Sequence, residues 1–266
     1  MSGTPIRYWQ SLTTSDVRQV IDRDPVVVLP LAAIEQHGPH LPLSTDLDIG
    51  MGLLACAFDR LATDCPAWVL PPLAVGSSEE HLRLAGTLSL DPETLSRVIC
   101  EYGAALARSG IRRLVLANSH GGNRQALSSA GLRLRRDHRM LVVKVSYFEF
   151  PPPETAGLAE SEWRHGLHGG AIETAMMLHL RPDLVRLEAI RDAPPLGKEL
   201  EQTLRRLSPE GGASFSWLAE DINPSGVAGD ARLADAATGQ LLVDYYGGVL
   251  ADVIRDARAF PLDRLV

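Results

Sequence analysis

The chain has 266 residues, 45% of them hydrophobic and 22% charged, with a formal net charge of −7. A core of that size folds without a disulfide or a structural metal, and the ordinary composition marks a globular chain rather than a disordered or fibrous one. The acidic balance and the lack of a basic block argue against nucleic acid as a partner, so the cluster of Arg133, Arg135 and Arg136 reads as a solvated helix face.

Cys56, Cys65 and Cys100 lack metal-ligand spacing, and Cys56 and Cys100 read as small core fillers. Residues 1–10 show no charged start followed by an apolar run, and no stretch reaches the roughly 18 apolar residues of a membrane span. The expectation is a cytoplasmic protein with no membrane partner.

In chain order, the β-branched run over residues 26–34 predicts a strand buried on both faces. Residues 49–61 are apolar at helical spacing. Residues 67–75 predict a second strand, which Pro71 and Pro72 either place at the sheet edge or end early. Asp91 predicts an N-cap, Pro92 the first helical position and Gly110 the stop of the next helix. A third strand over 113–117, an amphipathic helix over 125–136 and a fourth strand over 140–147 follow. Pro151, Pro152 and Pro153 mark a loop. Residues 208–229, rich in glycine, serine and proline, predict a long surface loop, and 238–259 a long C-terminal helix. This alternation predicts one α/β domain over residues 1–266, a parallel sheet with helices on both faces in three α/β/α layers.

Ligands of an open parallel sheet collect beyond the carboxyl ends of its strands. The first predicted strand runs into Glu35-Gln36-His37-Gly38-Pro39-His40 and then Ser44-Thr45-Asp46; the third runs into Asn118-Ser119-His120-Gly121-Gly122-Asn123. A later segment supplies His168-Gly169-Gly170 and then Glu173-Thr174. Carboxylates and imidazoles are what zinc or manganese requires. Glu35 and His37 are two apart, so on extended backbone both point to one side. Asp46, reached through a short loop, has two oxygens with which to bridge two ions. Two ions roughly 3.5–4 Å apart activate water and polarise a carbonyl, as an unreactive amide demands. His40 reads as a residue orienting a ligand, whereas His81, His138 and His179 read as histidines that are simply hydrogen-bonded.

The stretches PLAAIEQHGPHLPLSTD, GSSEEHLRLAGTLSL, NSHGGN, HGGAIETAMMLHLRPDLV and GVAGDARLADAATGQ resemble the creatininase family, in the right order over most of the chain. The resemblance implies a single α/β domain, two divalent ions (zinc or manganese, with iron possible), a homohexamer and hydrolysis of a carbon–nitrogen bond in a small cyclic or linear amide. It implies that Glu35, Asp46 and His120 hold one ion and that His37 and Asp46 hold the other. It makes His168 the proton-shuttling histidine, and it sets Ser78 against the substrate.

The chain departs from creatininase where that enzyme has a tyrosine and a metal-binding glutamate; here Gly121 and Gly122 stand instead. Arg164 and His165 occupy the positions of its tryptophan and aspartate near the substrate. Glu173 is the candidate to replace the missing ligand, and the first turn of a helix is its simpler explanation. With 5% aromatic residues and Arg164 at a substrate position, the expectation is poor creatinine hydrolysis and preference for an anionic amide. The alternatives are a formamide deformylase or mycofactocin-type peptidase of the same family, and, from another class, a non-catalytic metal-binding scaffold.

Overall fold

A computed structural model of the chain describes residues 5–265. Four parallel strands, β1 (Val26–Leu31), β2 (Ala67–Val69), β3 (Arg113–Asn118) and β4 (Leu141–Ser146), form a sheet in the order β2-β1-β3-β4. Helix α1 (Thr14–Ile21) precedes the sheet. Helices α2 (Thr45–Arg60), α3 (Pro92–Arg108) and α4 (Arg124–His138) make the crossovers between successive strands. Beyond β4 lie α5 (Glu160–His165), α6 (Ala171–Leu180), the short α7 (Leu196–Leu200) and α8 (Ala219–Ile222), and the long α9 (Ala236–Ala259). A two-residue antiparallel pair, β5 (Asp192–Ala193) with β6 (Gly229–Asp230), joins the segments between them.

The period-2 alternation of a strand assigns its apolar residues to two cores. Val27, Leu29, Leu31, Leu114 and Leu116 pack against Leu95 and Ile99 of α3 and Leu127 and Leu134 of α4. Val26, Val28, Val115 and Val145 pack on the other face against Leu54 and Phe58 of α2 and Leu250 and Ile254 of α9. The predicted three-layer α/β domain is therefore observed, and no helix among the described residues is long and apolar enough to cross a membrane.

Four expectations change. β1 ends at Leu31, because the Ala32 carbonyl is taken by the Asn123 side chain at 3.1 Å rather than by a strand partner. Helix α2 begins at Thr45, so Asp46 and Asp48 lie in its first turn, where the positive end of the helix dipole favours them. Cys56 and Cys100 are half-buried at the margin of the core rather than within it. The 208–229 segment is a surface loop only in its first part, where residues 210–214 are exposed; the rest contains α8, buries Ile222, Val227 and Ala228, and pairs Ala228 with His168. Its apolar residues outweigh its glycines and prolines once they find a surface to cover.

The strand order reverses between β1 and β3, and a crevice for ligands opens at the carboxyl ends of strands flanking such a point. The polar motifs that follow β1 and β3 both emerge there.

Two helical glycines of α9 have opposite reasons for being glycine. A Cβ on Gly239 would lie 1.8 Å from the Ala175 carbonyl oxygen where α6 crosses α9, whereas one on Gly248 meets only Arg60 Nε at 3.8 Å. Replacing an interior helical glycine by alanine gains about 1 kcal/mol of propensity, but overpacking costs roughly 1–3 kcal/mol. Gly248→Ala should raise the urea midpoint, and Gly239→Ala should lower it; the reverse order would show that α6 and α9 are not packed this closely.

Candidate active site

The site is built from backbone that has left the strands. Asn118 Nδ2 donates to the His120 carbonyl (2.7 Å) and to Ser146 Oγ (3.1 Å), and Asn118 Oδ1 accepts from Asn123 Nδ2 (3.0 Å). Asn123 Oδ1 in turn accepts from Ser77 N at 2.9 Å. The two asparagines of the third-strand motif thus tie the ends of β1, β3 and β4 to the 76–90 segment.

Glu35, His37, Asp46, His120 and His168 converge at the crevice, none more than 8% exposed. Glu35 Oε1 lies 3.3 Å from His120 Nδ1, 3.6 Å from His168 Nδ1 and 3.9 Å from His37 Nε2. The two oxygens of Asp46 face different imidazoles: Oδ1 is 3.5 Å from His37 Nε2, and Oδ2 is 3.3 Å from His120 Nδ1. Glu173 Oε2, which accepts from Gly169 N at 2.6 Å, is 3.8 Å from His37 Nε2.

Backbone carbonyls set the histidine tautomers. His37 Nδ1 donates to Glu35 O (3.1 Å), His120 Nε2 to Ser77 O (2.8 Å) and His168 Nε2 to Gln36 O (2.6 Å). A carbonyl only accepts, so each ring's other nitrogen is the one turned toward the carboxylates, where a cation can take the place of a proton. This is the arrangement in which a histidine ligates metal while its second nitrogen is held by an outer partner.

Both oxygens of Glu35, Asp46 Oδ2 and His37 Nε2 are buried without a hydrogen-bond partner. Buried polar atoms are nearly always paired, so four such atoms within one cluster match a donor set for divalent cations. Ligand atoms of Glu35, Glu80 and His120 lie mutually within 4.8 Å, as do those of His37, Asp46 and Glu173, and those of Glu35, His37 and His168.

Electrostatics follow the same geometry. Burial pushes the Glu35 carboxyl up, but His120, His168 and His81 outweigh it and hold the group well below the usual range. Burial works against the His37 imidazolium, yet Asp46, Glu173 and Glu35 raise it to about 9. His120 is likewise raised, against burial, by Glu35 and Asp46. Burial, with His37 and His81 beside it, keeps His168 well below its ordinary value and hence neutral. Burial raises Glu173 to about 7, with His37 opposing and Asp46 reinforcing the shift.

Above the cluster opens a cleft of ≈ 710 Å³. Tyr147, Phe148, Phe150, Trp163, Trp217 and Tyr246 line it, six of the 14 aromatic residues in the chain (4 Trp, 5 Tyr and 5 Phe). A low aromatic content therefore says nothing against aromatic walls. Gly121 and Arg164 also lie on the cleft. Arg164 is paired with Glu160 at 3.0 Å and Glu201 at 3.7 Å, and Arg124, which also lines the cleft, with Glu149 and Glu210. Both arginines are exposed, so these pairs are weak. Ser78 is fully buried behind His120, its Oγ 3.4 Å from Nε2. His165 is buried beside Glu201 at 2.9 Å, away from the cleft wall.

His40 Nε2 contacts Thr174 Oγ1 at 2.9 Å and steadies the 168–174 turn. His138 and His179 lie outside the site. His81 does not: it lines the cleft, stacks on His168 at 4.3 Å and brings Nε2 to 3.7 Å from Glu35. Its neighbour Glu80, unmarked by the sequence reasoning, places Oε1 3.7 Å from His120 Nε2. The adjacent carboxylate and imidazole within GSSEEH were the available signal. Gly122 shows why the third-strand motif carries no side chain: a Cβ there would meet Ser77 O at 2.1 Å, His120 Nε2 at 2.6 Å and Glu80 Oε1 at 2.8 Å.

Comparison with known proteins agrees with the motifs. The family model Creatininase, described as creatinine amidohydrolase, matches residues 10–254. A mycofactocin precursor peptide peptidase from Mycobacterium ulcerans (strain Agy99) is 36% identical over 237 residues, covering 86% of this chain and 84% of that protein. A creatinine amidohydrolase from Pseudomonas putida is 34% identical over 257 residues, covering 88% and 90%. Among solved structures, a tryptophan-to-alanine variant of creatininase superposes with a TM-score of 0.78 at 28% identity, over 95% of this chain and 99% of that one. A manganese form of creatininase gives 0.74 at 28%, over 94% and 98%. The motifs, the fold and the matched length agree, and the chain belongs to the creatininase family of hydrolases.

Proposed function

We propose that this protein is a metal-dependent amidase whose substrate is a peptide carrying aromatic or other large apolar groups. The observation that carries the metal dependence is the set of buried, unpartnered atoms on Glu35, Asp46 and His37 beneath an open cleft. Glu35, Asp46 and His120 would hold one divalent cation, and His37, Asp46 and Glu173 a second; the two faces of Asp46 suit a shared ligand. Bound zinc or manganese would supply Lewis acidity toward the amide carbonyl and make water acidic enough to attack it.

The chain's own groups account for the proton. His168 is neutral, fixed by Gln36 O, and presents bare Nδ1 3.6 Å from Glu35 Oε1. It takes the proton of the attacking water and passes it to the leaving nitrogen as the C–N bond breaks. Tyr147, Phe148, Trp163 and Trp217 offer apolar surface along a cleft larger than a small cyclic amide needs. The mycofactocin precursor peptide peptidases among the relatives favour the peptide reading. A small cyclic amide is the second reading, supported by the creatinine amidohydrolase relative.

A panel of creatinine, formamides and short peptides with terminal Phe or Tyr, assayed with added zinc or manganese, separates these readings. Peptide cleavage should exceed creatinine turnover; efficient creatinine hydrolysis with inert peptides would reverse the assignment, and no turnover of any member would favour the scaffold. His168→Ala should keep its metal and lose 10²–10⁴-fold in rate, whereas metal loss would make His168 a ligand. Asp46→Ala should lose both ions by elemental analysis. Glu173→Gln should lose one; retention of both would confine Glu173 to capping Gly169.

The metal-free protein has its own signature. An imidazole raised on folding contributes stability in full below its unfolded value of 6.5 and loses it as pH rises through about 9, as for His37. Chelator-treated protein should therefore melt at falling temperature between pH 6.5 and 9. Zinc-loaded protein should not show that fall, because a cation rather than a proton occupies the imidazole. Identical profiles with and without zinc would argue against His37 as a ligand.

A further inference from the structure

Gln36 fixes the proton of a histidine that the mechanism above does not use. Its Oε1 accepts the Gly38 N–H at 3.0 Å, and its Nε2 donates to Gly226 O at 2.9 Å. A backbone N–H only donates and a carbonyl only accepts, so these two contacts settle which end of the amide is oxygen. The same Nε2 lies 2.8 Å from His81 Nδ1. An amide nitrogen only donates, so His81 Nδ1 accepts, and the imidazole hydrogen resides on Nε2.

That N–H faces the cleft. Its nearest carboxylate oxygens, Glu35 Oε1 at 3.7 Å and Glu80 Oε1 at 3.9 Å, lie beyond hydrogen-bonding distance. A protonated ring nitrogen has no lone pair to give a cation, so His81, whose other nitrogen is occupied by Gln36, differs in kind from His37 and His120, whose carboxylate-facing nitrogens can exchange a proton for a cation. The stacked neighbour of His81, His168 at 4.3 Å, has the same Nε2–H tautomer but turns its other edge, presenting bare Nδ1 beside the same Glu35 oxygen. The cleft floor thus holds a donor and an acceptor side by side.

We propose that His81 is a catalytic residue, its Nε2–H donating to the substrate's carbonyl oxygen as that oxygen becomes an oxyanion; the assignment rests on the amidase reading above. Water adds to the carbonyl carbon, its proton moves to His168 Nδ1, and the carbonyl electron pair moves to the oxygen that His81 holds. Collapse of this adduct breaks the C–N bond, and the nitrogen leaves with the proton from His168. Loss of one such donor costs about 10²–10³-fold in kcat.

The test reads the tautomer and the binding of a tetrahedral mimic separately. In metal-loaded protein, imidazole ¹⁵N–¹H spectra should show His81 protonated at Nε2, and Gln36→Glu should move the proton to Nδ1. A phosphinic dipeptide with Phe side chains, whose oxygens imitate the oxyanion, should bind at least ~10-fold more weakly to His81→Phe and to Gln36→Glu. His81→Gln, which keeps an N–H, should bind within a few-fold of native, and metal content should be unchanged in all three. A native Nδ1–H tautomer, undiminished phosphinate binding by His81→Phe, or metal loss in that variant would each overturn the assignment alone. Failure of the native protein to bind the phosphinate would overturn the amidase reading and this assignment with it.

Discussion

Two carboxylates, Glu35 and Asp46, sit almost wholly out of water, and three of their four oxygens lack a hydrogen-bond partner. Burying an ion without compensation costs several kcal/mol, so this arrangement persists only because everything around it is held in place. Imidazolium protons on His37 and His120 offset the charge in the cation-free chain, and those two rings carry the raised pKa values. The rings cannot rotate to relieve the strain, since each is pinned by a hydrogen bond to a backbone carbonyl. The polar cluster is thus prepared before any ligand arrives, in the manner expected of a preorganised site.

The fold supplies that rigidity cheaply. Strands β1 and β3 are paired over six residues in the middle of the sheet. The two motifs that follow them start from backbone hydrogen-bonded on both sides, and the Asn118–Asn123 network carries this order past the strand ends to Ser77. By contrast, the cleft walls come from the turn after β4 at Phe150, the short helix α5 at Trp163 and the loop at Trp217. A floor set at strand ends beneath walls drawn from loops and short elements is what a family needs to keep one chemistry while changing its substrate.

This division also explains what could be read in the sequence. Strands and helices were legible because buried parallel strands leave continuous apolar runs and amphipathic helices leave a 3.6-residue period. Glu35, His37 and His120 were legible because each follows such a run within a few residues. Glu80 and His81 were not, because they ride on a single turn, Glu79–His81, that has no periodicity to locate it. Gln36 passed unremarked because its importance lies in which atoms it faces, and those atoms are Gly226 O and His81 Nδ1, distant in the chain. Composition misled about the cleft, since a percentage counts aromatic rings without saying where they gather. The start of α2 was missed because Ser44 and Thr45 read as loop, yet that start aims Asp46 at both imidazoles.

Gly122 sets a limit on how this protein can change. Any side chain there collides with the backbone carbonyl of Ser77 at 2.1 Å, not merely with movable atoms. A carboxylate cannot be installed at 122 by one substitution, because the 77–80 segment must first shift. That segment also holds the His120 tautomer through Ser77 O and carries Glu80 and His81. The glycine and carboxylate forms of the motif are therefore separated by a valley in which the intermediate has lost its histidine alignment. Passage between them requires a backbone rearrangement first and a new side chain second, and an engineer who reverses that order will obtain a disordered site rather than a new specificity.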